Sequence, residues 1–146
     1  MITKWLSAIG TVFLMLSAAW ASDVEDNKRI VVEFYERSMN QKDVDGAAKF
    51  LGAKYIQHNP NAEDGRDAFR RFVALQKLKA PDSRYEIKRV FVDGDFVVLH
   101  VHAIPTPNAR GSAIVDIFRL EGGKIVEHWN VVQPIPEKSL NSNTMF

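Results

Sequence analysis

The chain reads as an α+β protein, helices first and a mainly antiparallel sheet after them. Up to Pro81 the apolar residues recur at the three- and four-residue spacing of amphipathic helices. Beyond it they alternate with polar residues, the two-residue period of half-buried strands. Two turn dipeptides, Asp93-Gly94 and Gly122-Gly123, cut the second region into hairpins, and this segregated order argues against alternating βαβ units.

Before the first helix lies a leader. Lys4 supplies positive charge, residues 5–18 are nearly uncharged and apolar, and Ala19-Trp20-Ala21 fits a small-x-small processing site, so cleavage is expected after Ala21. The apolar stretch is short for a bilayer span, and Ser22 to Asp26 turn polar at once; an uncleaved anchor helix is the alternative. With cleavage, the protein is secreted or periplasmic and keeps no membrane attachment. Residues 22–136 then form one domain, and 137–146, polar and unpatterned, form a flexible tail.

Composition narrows the partners. Loss of Lys4 takes the basic residues from 19 to 18, equal to the 18 acidic ones, so there is no electrostatic footprint for nucleic acid. With no cysteine, disulfides, thiolate catalysis and cysteine metal sites are excluded. Stability rests on the packed core.

Residues 23–39 place Ile30, Val31, Phe34, Tyr35 and Met39 near one stripe, with Asp23 as N-cap. A shorter helix comes second, capped by Asp43, facing Ala47, Ala48, Phe50 and Leu51 inward and ending at a left-handed Gly52. The third starts near Asp64, buries Phe69, Phe72, Val73 and Gln76 or its neighbours, carries Lys77 and Lys79 at its negative end and stops at Pro81. Four strands come next: Arg84 to Val92, Phe96 to Ile104, Ala113 to Leu120 and Lys124 to Val132. Residues 105–111 are a loop between the two hairpins.

The last hairpin carries ionisable groups among apolar strand positions. A three-residue loop, Glu121 to Gly123, would set Asp116 opposite His128 with Asn130 diagonal on the same face; a two-residue loop would split them between faces.

The order helix, helix, Tyr55-Ile-Gln-His-Asn-Pro60, helix, then hairpins with Asp116-Ile-Phe-Arg119 and Gly123-Lys-Ile-Val-Glu-His-Trp-Asn-Val-Val-Gln133 resembles the SnoaL-like polyketide cyclase family of the nuclear transport factor 2-like superfamily. The resemblance spans the mature chain. It implies three helices packed on a strongly curved sheet, a cone or barrel with a pocket open at one end. It also implies ring closure by intramolecular aldol condensation with no cofactor and no metal, a pocket aspartate on the last strand serving as acid and base. Aligned through Gly123-Lys124-Ile125, that position is Asn130, and a neighbouring position that often carries histidine is Asp116. An amide cannot take a proton as a carboxylate can, so the role has moved across the hairpin or has been lost.

Asp116 is therefore the first candidate for general base, since an unpaired carboxylate between Val115 and Ile117 would be costly. The structural alternative pairs it with Arg119, His128 or a backbone amide. His128 and Asn130 would flank it as orienting or electrophilic groups, and Phe118, two positions along, joins the substrate-facing set. Trp129 points to the opposite face and packs. His100 and His102 share a face; such a pair can ligate a metal with Asp116 or His128, but the preferred reading puts one on the pocket wall and the other near its rim. The resemblance nominates His58 and Asn59 as substrate-facing, against an Asx-type cap leading to Asp64. Tyr35 would present its hydroxyl to the pocket or fill it.

The expectation for function is a pocket for a small apolar molecule bearing carbonyl or hydroxyl groups, with cofactor-independent aldol cyclisation, isomerisation or dehydration. The alternative is a non-catalytic ligand-binding or interaction module of the same fold. Outward residues such as Trp129 and Val131 would suit a homodimer through the sheet.

Overall fold

The computed structural model describes residues 24–146. The leader, its cleavage site and the Asp23 cap lie outside the described residues. Helix α1 covers residues 24–35 and runs into a π-helical turn, Glu36–Asn40. Val31, Phe34 and Tyr35 are buried along the stripe the periodicity predicts. The turn widens because the Gln41 N–H reaches back five residues to the Glu36 carbonyl, and the extra residue brings buried Ser38, with Met39, to the wall of an interior cavity.

Helix α2, Val44–Ala48, is capped as its sequence predicts: the Asp43 carboxylate accepts from the Gly46 N–H at 2.9 Å. Past α2 the chain departs from the expected stop at Gly52. It passes directly into a strand, β1 (Leu51–Gln57), so the sheet has five strands rather than four. Alternation could not reveal β1, because two adjacent buried residues, Leu51 and Gly52, are followed by two exposed ones, Ala53 and Lys54, before Tyr55 is buried again. Gly52 serves close approach: a Cβ there would lie 2.9 Å from Val126 Cγ1.

Helix α3, Arg66–Lys79, begins two residues past Asp64, whose carboxylate instead accepts from the Gln57 N–H at 2.7 Å. Phe69 and Val73 are buried, and Lys77 and Lys79 occupy the last turn. Phe72, expected inside, is 41% exposed and stands with Leu75 at the mouth of the cavity.

The remaining strands are β2 (Arg84–Asp93), β3 (Phe96–Ile104), β4 (Ser112–Glu121) and β5 (Lys124–Pro134). The sheet order is β1-β5-β4-β3-β2; β1 runs parallel to β5 and the other neighbours are antiparallel. The first turn sits one residue later than predicted, at Gly94 and Asp95. The curved, unclosed sheet packs its concave face on the helices. Val97, Leu99 and Val101 of β3 are fully buried there, with Phe118 and Leu120 of β4 and Ile125 of β5 beside them. Among the described residues no helix is long and apolar enough to cross a membrane.

The final hairpin resolves the choice of loop. Gly122 and Gly123, both at positive φ, form a two-residue turn with Glu121 paired to Lys124 and Leu120 to Ile125. The pairing then slips by one, so Arg119 faces Glu127, and Val126 is the extra residue of a bulge. Ile125 and Val126, on either side of the slip, are consecutive and both buried. The slip restores the face that a two-residue loop would have lost. Asp116 lies directly opposite Asn130, Phe118 opposite His128, and all four point inward. The expected Asp116–His128 register pair is thus corrected to a diagonal one.

Candidate active site

Between the concave face and the helices lies a cavity of about 530 Å³. Its walls are aromatic: Phe34 and Tyr35 from α1, Tyr55 from β1, Phe69 and Phe72 from α3, Tyr85 from β2 and Phe118 from β4. All three tyrosines of the chain face it. Asp116 is 3% exposed at its floor. The Tyr35 hydroxyl donates to Asp116 Oδ2 at 2.8 Å, and His128 Nε2 stands 3.0 Å from Oδ1. The His128 ring stacks on Phe118 with centroids 4.8 Å apart, which holds the imidazole against the carboxylate.

Of the structural partners weighed from sequence, His128 is the one found. Arg119 points outward, to Glu127 and Glu121. Tyr35, which could have been mere filling, orients the carboxylate. Burial first, and the nearby Asp116 charge second, push the Tyr35 phenol well above its ordinary range; the same two causes, in the same order, raise Tyr55 and Tyr85. The three phenols are held neutral; Tyr35 donates to Asp116, and the Tyr55 hydroxyl accepts from Gln57 Nε2 at 3.4 Å.

A second set of polar groups comes from the turn after β1. The Asn61 N–H donates to Asn59 Oδ1 at 2.8 Å, which fixes the Asn59 amide so that its Nδ2 donates to Asn130 Oδ1 at 2.9 Å. The NH₂ group of Asn130 then has no acceptor among the described residues, and it belongs to the cavity lining. It is a preset donor beside Asp116, suited to a carbonyl oxygen that gains charge. Asn59 therefore faces the cavity, as the resemblance implied.

Three nominated residues do not. The His58 ring lies on the outer face of the sheet, stacked on Trp129 at 4.2 Å and 2.9 Å from a Glu127 carboxylate oxygen. His58 and Arg119 hold the Glu127 carboxyl below its usual range. His100 and His102 are outward too, since β3 buries Val97, Leu99, Val101 and Ala103 on the cavity side. His100 Nδ1 meets the Arg89 guanidinium at 3.0 Å, His102 Nε2 meets the Arg110 carbonyl at 2.7 Å, and Phe146 of the tail packs on both rings. The expectation that one of this pair lines the pocket is corrected: the sheet separates both from Asp116 and His128. Among the described residues no group of three or more histidine, aspartate or glutamate side chains is placed to hold a metal.

Sequence reasoning passes over Gln57. Its Oε1 accepts from the Asn59 N–H at 3.1 Å and stands 2.9 Å from His128 Nδ1. Strand parity would have found it. Once residues 51–57 are read as extended, Gln57 and Asn59 share the inner face and His58 takes the outer one.

A profile of the SnoaL-like domain matches residues 31–128, which include β1, α3 and the Asp116–His128 pair. The chain belongs to the SnoaL-like family. Solved structures agree in fold. TsrD from Streptomyces laurentii superposes with a TM-score of 0.64 at 21% identity, covering 75% of this chain and 90% of that one. A protein named as a candidate ketosteroid isomerase from Kribbella flavida gives 0.68 at 14% identity over 84% and 92%. One named as a candidate polyketide cyclase from Acidithiobacillus ferrooxidans gives 0.62 at 16% over 73% and 87%. No curated protein matches the sequence. At these identities the structural likeness shows the nuclear transport factor 2-like fold, and chemistry has to be argued from the cavity. The SnoaL-like match ends at His128, and Asn130, two residues beyond it, faces Asp116 across the hairpin.

Proposed function

We propose that the cavity binds a small, largely apolar molecule bearing a carbonyl or hydroxyl group and performs cofactor-independent acid/base chemistry on it, an aldol cyclisation, isomerisation or dehydration. The observation that carries this reading is the buried carboxylate of Asp116, held by Tyr35 and His128 beside the unpartnered NH₂ of Asn130. Asp116 takes the proton from a carbon next to the carbonyl, and the electron pair of that C–H bond moves onto the carbonyl oxygen, where Asn130 donates a hydrogen bond. The proton held by Asp116 is then returned: to the oxygen of a second carbonyl as the enolate carbon adds to that carbonyl's carbon in an aldol closure, to a different carbon in an isomerisation, or to a β-hydroxyl that leaves as water as the enolate reforms its carbonyl in a dehydration; none of these needs a redox partner.

A second reading, a non-catalytic ligand-binding module, is favoured by one observation: both Asp116 oxygens already have protein partners. The outer sheet face supports association of two copies, because Phe91, Phe96, Val115 and Val131 are exposed there at 58, 41, 38 and 70%. Export with a mature start at Ser22 completes the proposal. Mass spectrometry of small molecules released by denaturing the natively purified protein tests the ligand class. The expected result is a compound with a carbonyl or hydroxyl group on an apolar body; a retained polyanion or a fully saturated hydrocarbon would overturn it.

A further inference from the structure

We infer that Gln57 is a positioning residue that forces a hydrogen into the contact between His128 and Asp116. This deepens the proposed function of the same site, and only its catalytic consequence rests on that reading. The Asn59 backbone N–H can only donate, and it points at the Gln57 side chain at 3.1 Å, so the atom it meets is the amide oxygen Oε1. The same oxygen faces His128 Nδ1 at 2.9 Å. An amide oxygen only accepts, so His128 Nδ1 carries a hydrogen.

That assignment decides the other side of the ring. Nε2 lies 3.0 Å from Asp116 Oδ1, and Oδ2 is already taken by the Tyr35 hydroxyl. Were His128 neutral and Asp116 ionised, an Nδ1-protonated ring would press a bare nitrogen lone pair against a buried carboxylate oxygen. Burial makes such a contact expensive. One hydrogen therefore sits between Nε2 and Oδ1, and the pair holds it as a unit. In the tautomer common for free histidine the hydrogen on Nε2 would belong to the ring alone; Gln57 removes that option.

The backbone around Gln57 supports the role. The Gln57 N–H is tied to Asp64, and the His58 N–H donates to the His128 carbonyl at 2.8 Å, so β1 and β5 are locked side by side where the side chains meet. Gln57 Nε2 donates to the Tyr55 hydroxyl at 3.4 Å, a second, longer contact consistent with the orientation that the Asn59 N–H sets. The groups facing His128 and Asp116 across the cavity, Tyr35, Tyr55 and Tyr85, are phenols kept neutral, so none of them supplies or removes charge in its place.

Long-range ¹⁵N–¹H correlation spectra of histidine-labelled protein test this without any substrate. The chain has four histidines, and His128 is assigned by the signals lost in His128→Gln. The inference expects His128 Nδ1 to be of the protonated, pyrrole type in the parent at neutral pH and in Gln57→Glu, whose carboxylate also accepts. In Gln57→Leu the Nδ1 signal should shift toward the unprotonated type. A pyridine-type Nδ1 in the parent, or an unchanged protonated Nδ1 in a folded Gln57→Leu, overturns the inference. Should Gln57→Leu fail to fold, the parent and Gln57→Glu spectra still decide it. Protonated Nδ1 in a protein that turns over no enolisable ligand would leave the inference standing and remove only the catalytic reading; turnover with an unprotonated Nδ1 would do the reverse.

Discussion

Asp116 and Asn130 face each other across the last hairpin because Val126 bulges out of β5. Had the pairing run on from the two-residue turn at Gly122 and Gly123 without that slip, Asp116 would face Trp129 and Asn130 would point to the outer face. The catalytic proposal depends on this slip, since it brings a carboxylate and a preset amide donor to the same wall.

Asn130→Asp would set a second carboxylate directly opposite Asp116. Two such groups on one buried face cannot both ionise cheaply, so the variant should lose roughly 1–3 kcal/mol of stability at neutral pH. The loss should shrink as the pH falls and one of the two takes a proton. Denaturant titrations at two pH values measure it; a variant as stable as the parent at neutral pH would place the two side chains farther apart than the register requires.

Gly52→Ala tests the bulge from the other side. Its Cβ would press on Val126 Cγ1 at 2.9 Å and on the Lys54 carbonyl at 3.2 Å, costing about 1–3 kcal/mol. Val126→Ala removes the first of these contacts, so the double variant should cost less than the sum of the singles. Strict additivity in a double-mutant cycle would show that β1 does not lean on the bulge.

The phenols give a pH signature. Tyr35, Tyr55 and Tyr85 are all raised by burial and then by Asp116, and the chain has no other tyrosine. Their folded values exceed the unfolded value of about 10, so their contribution to stability is complete below that pH and is lost as pH climbs through the folded values. Tyrosinate absorbance should therefore stay flat past pH ~10 and rise only as the protein unfolds. In Asp116→Asn the rise should begin at lower pH, because burial remains but the carboxylate charge does not. A phenol that titrates normally in the folded parent would mean an open cavity.

Association of two copies should depend on the outer face. Sedimentation of the mature chain is expected to give a dimer, and Val131→Asp, which puts charge at a site 70% exposed in the single chain, should give a monomer with unchanged secondary structure. A monomeric parent at high micromolar concentration would contradict the dimer.

How much of the fold can be read from the residues alone depends on the length of the patterns. The stripe on α1, the Asp43 cap, α3 and the later strands each repeat a period several times or carry a turn dipeptide, and each is legible. The strand β1 is not, because it pairs in parallel with the distant β5 and buries two adjacent residues. Missing it hides the parity of residues 57–59, which puts His58 inside and leaves Gln57 overlooked. The pair His100 and His102 is misplaced for a related reason: alternation shows that two residues share a face, but only the packing of Val97, Leu99 and Val101 says which face is inward. The grouping of Asp116, His128 and Asn130 is legible, though the bulge that creates it leaves no mark in hydropathy.

Deuterium uptake from D₂O into an enolisable probe such as α-tetralone, followed by NMR under conditions where perturbed tyrosine signals confirm binding in the cavity, tests the central claim most directly. The account predicts exchange at the carbon next to the carbonyl well above the solvent rate in the parent, and a fall of about a hundredfold or more in Asp116→Asn with the fold and binding retained. Equal exchange in the two proteins, or binding with no exchange above solvent in either, would contradict it.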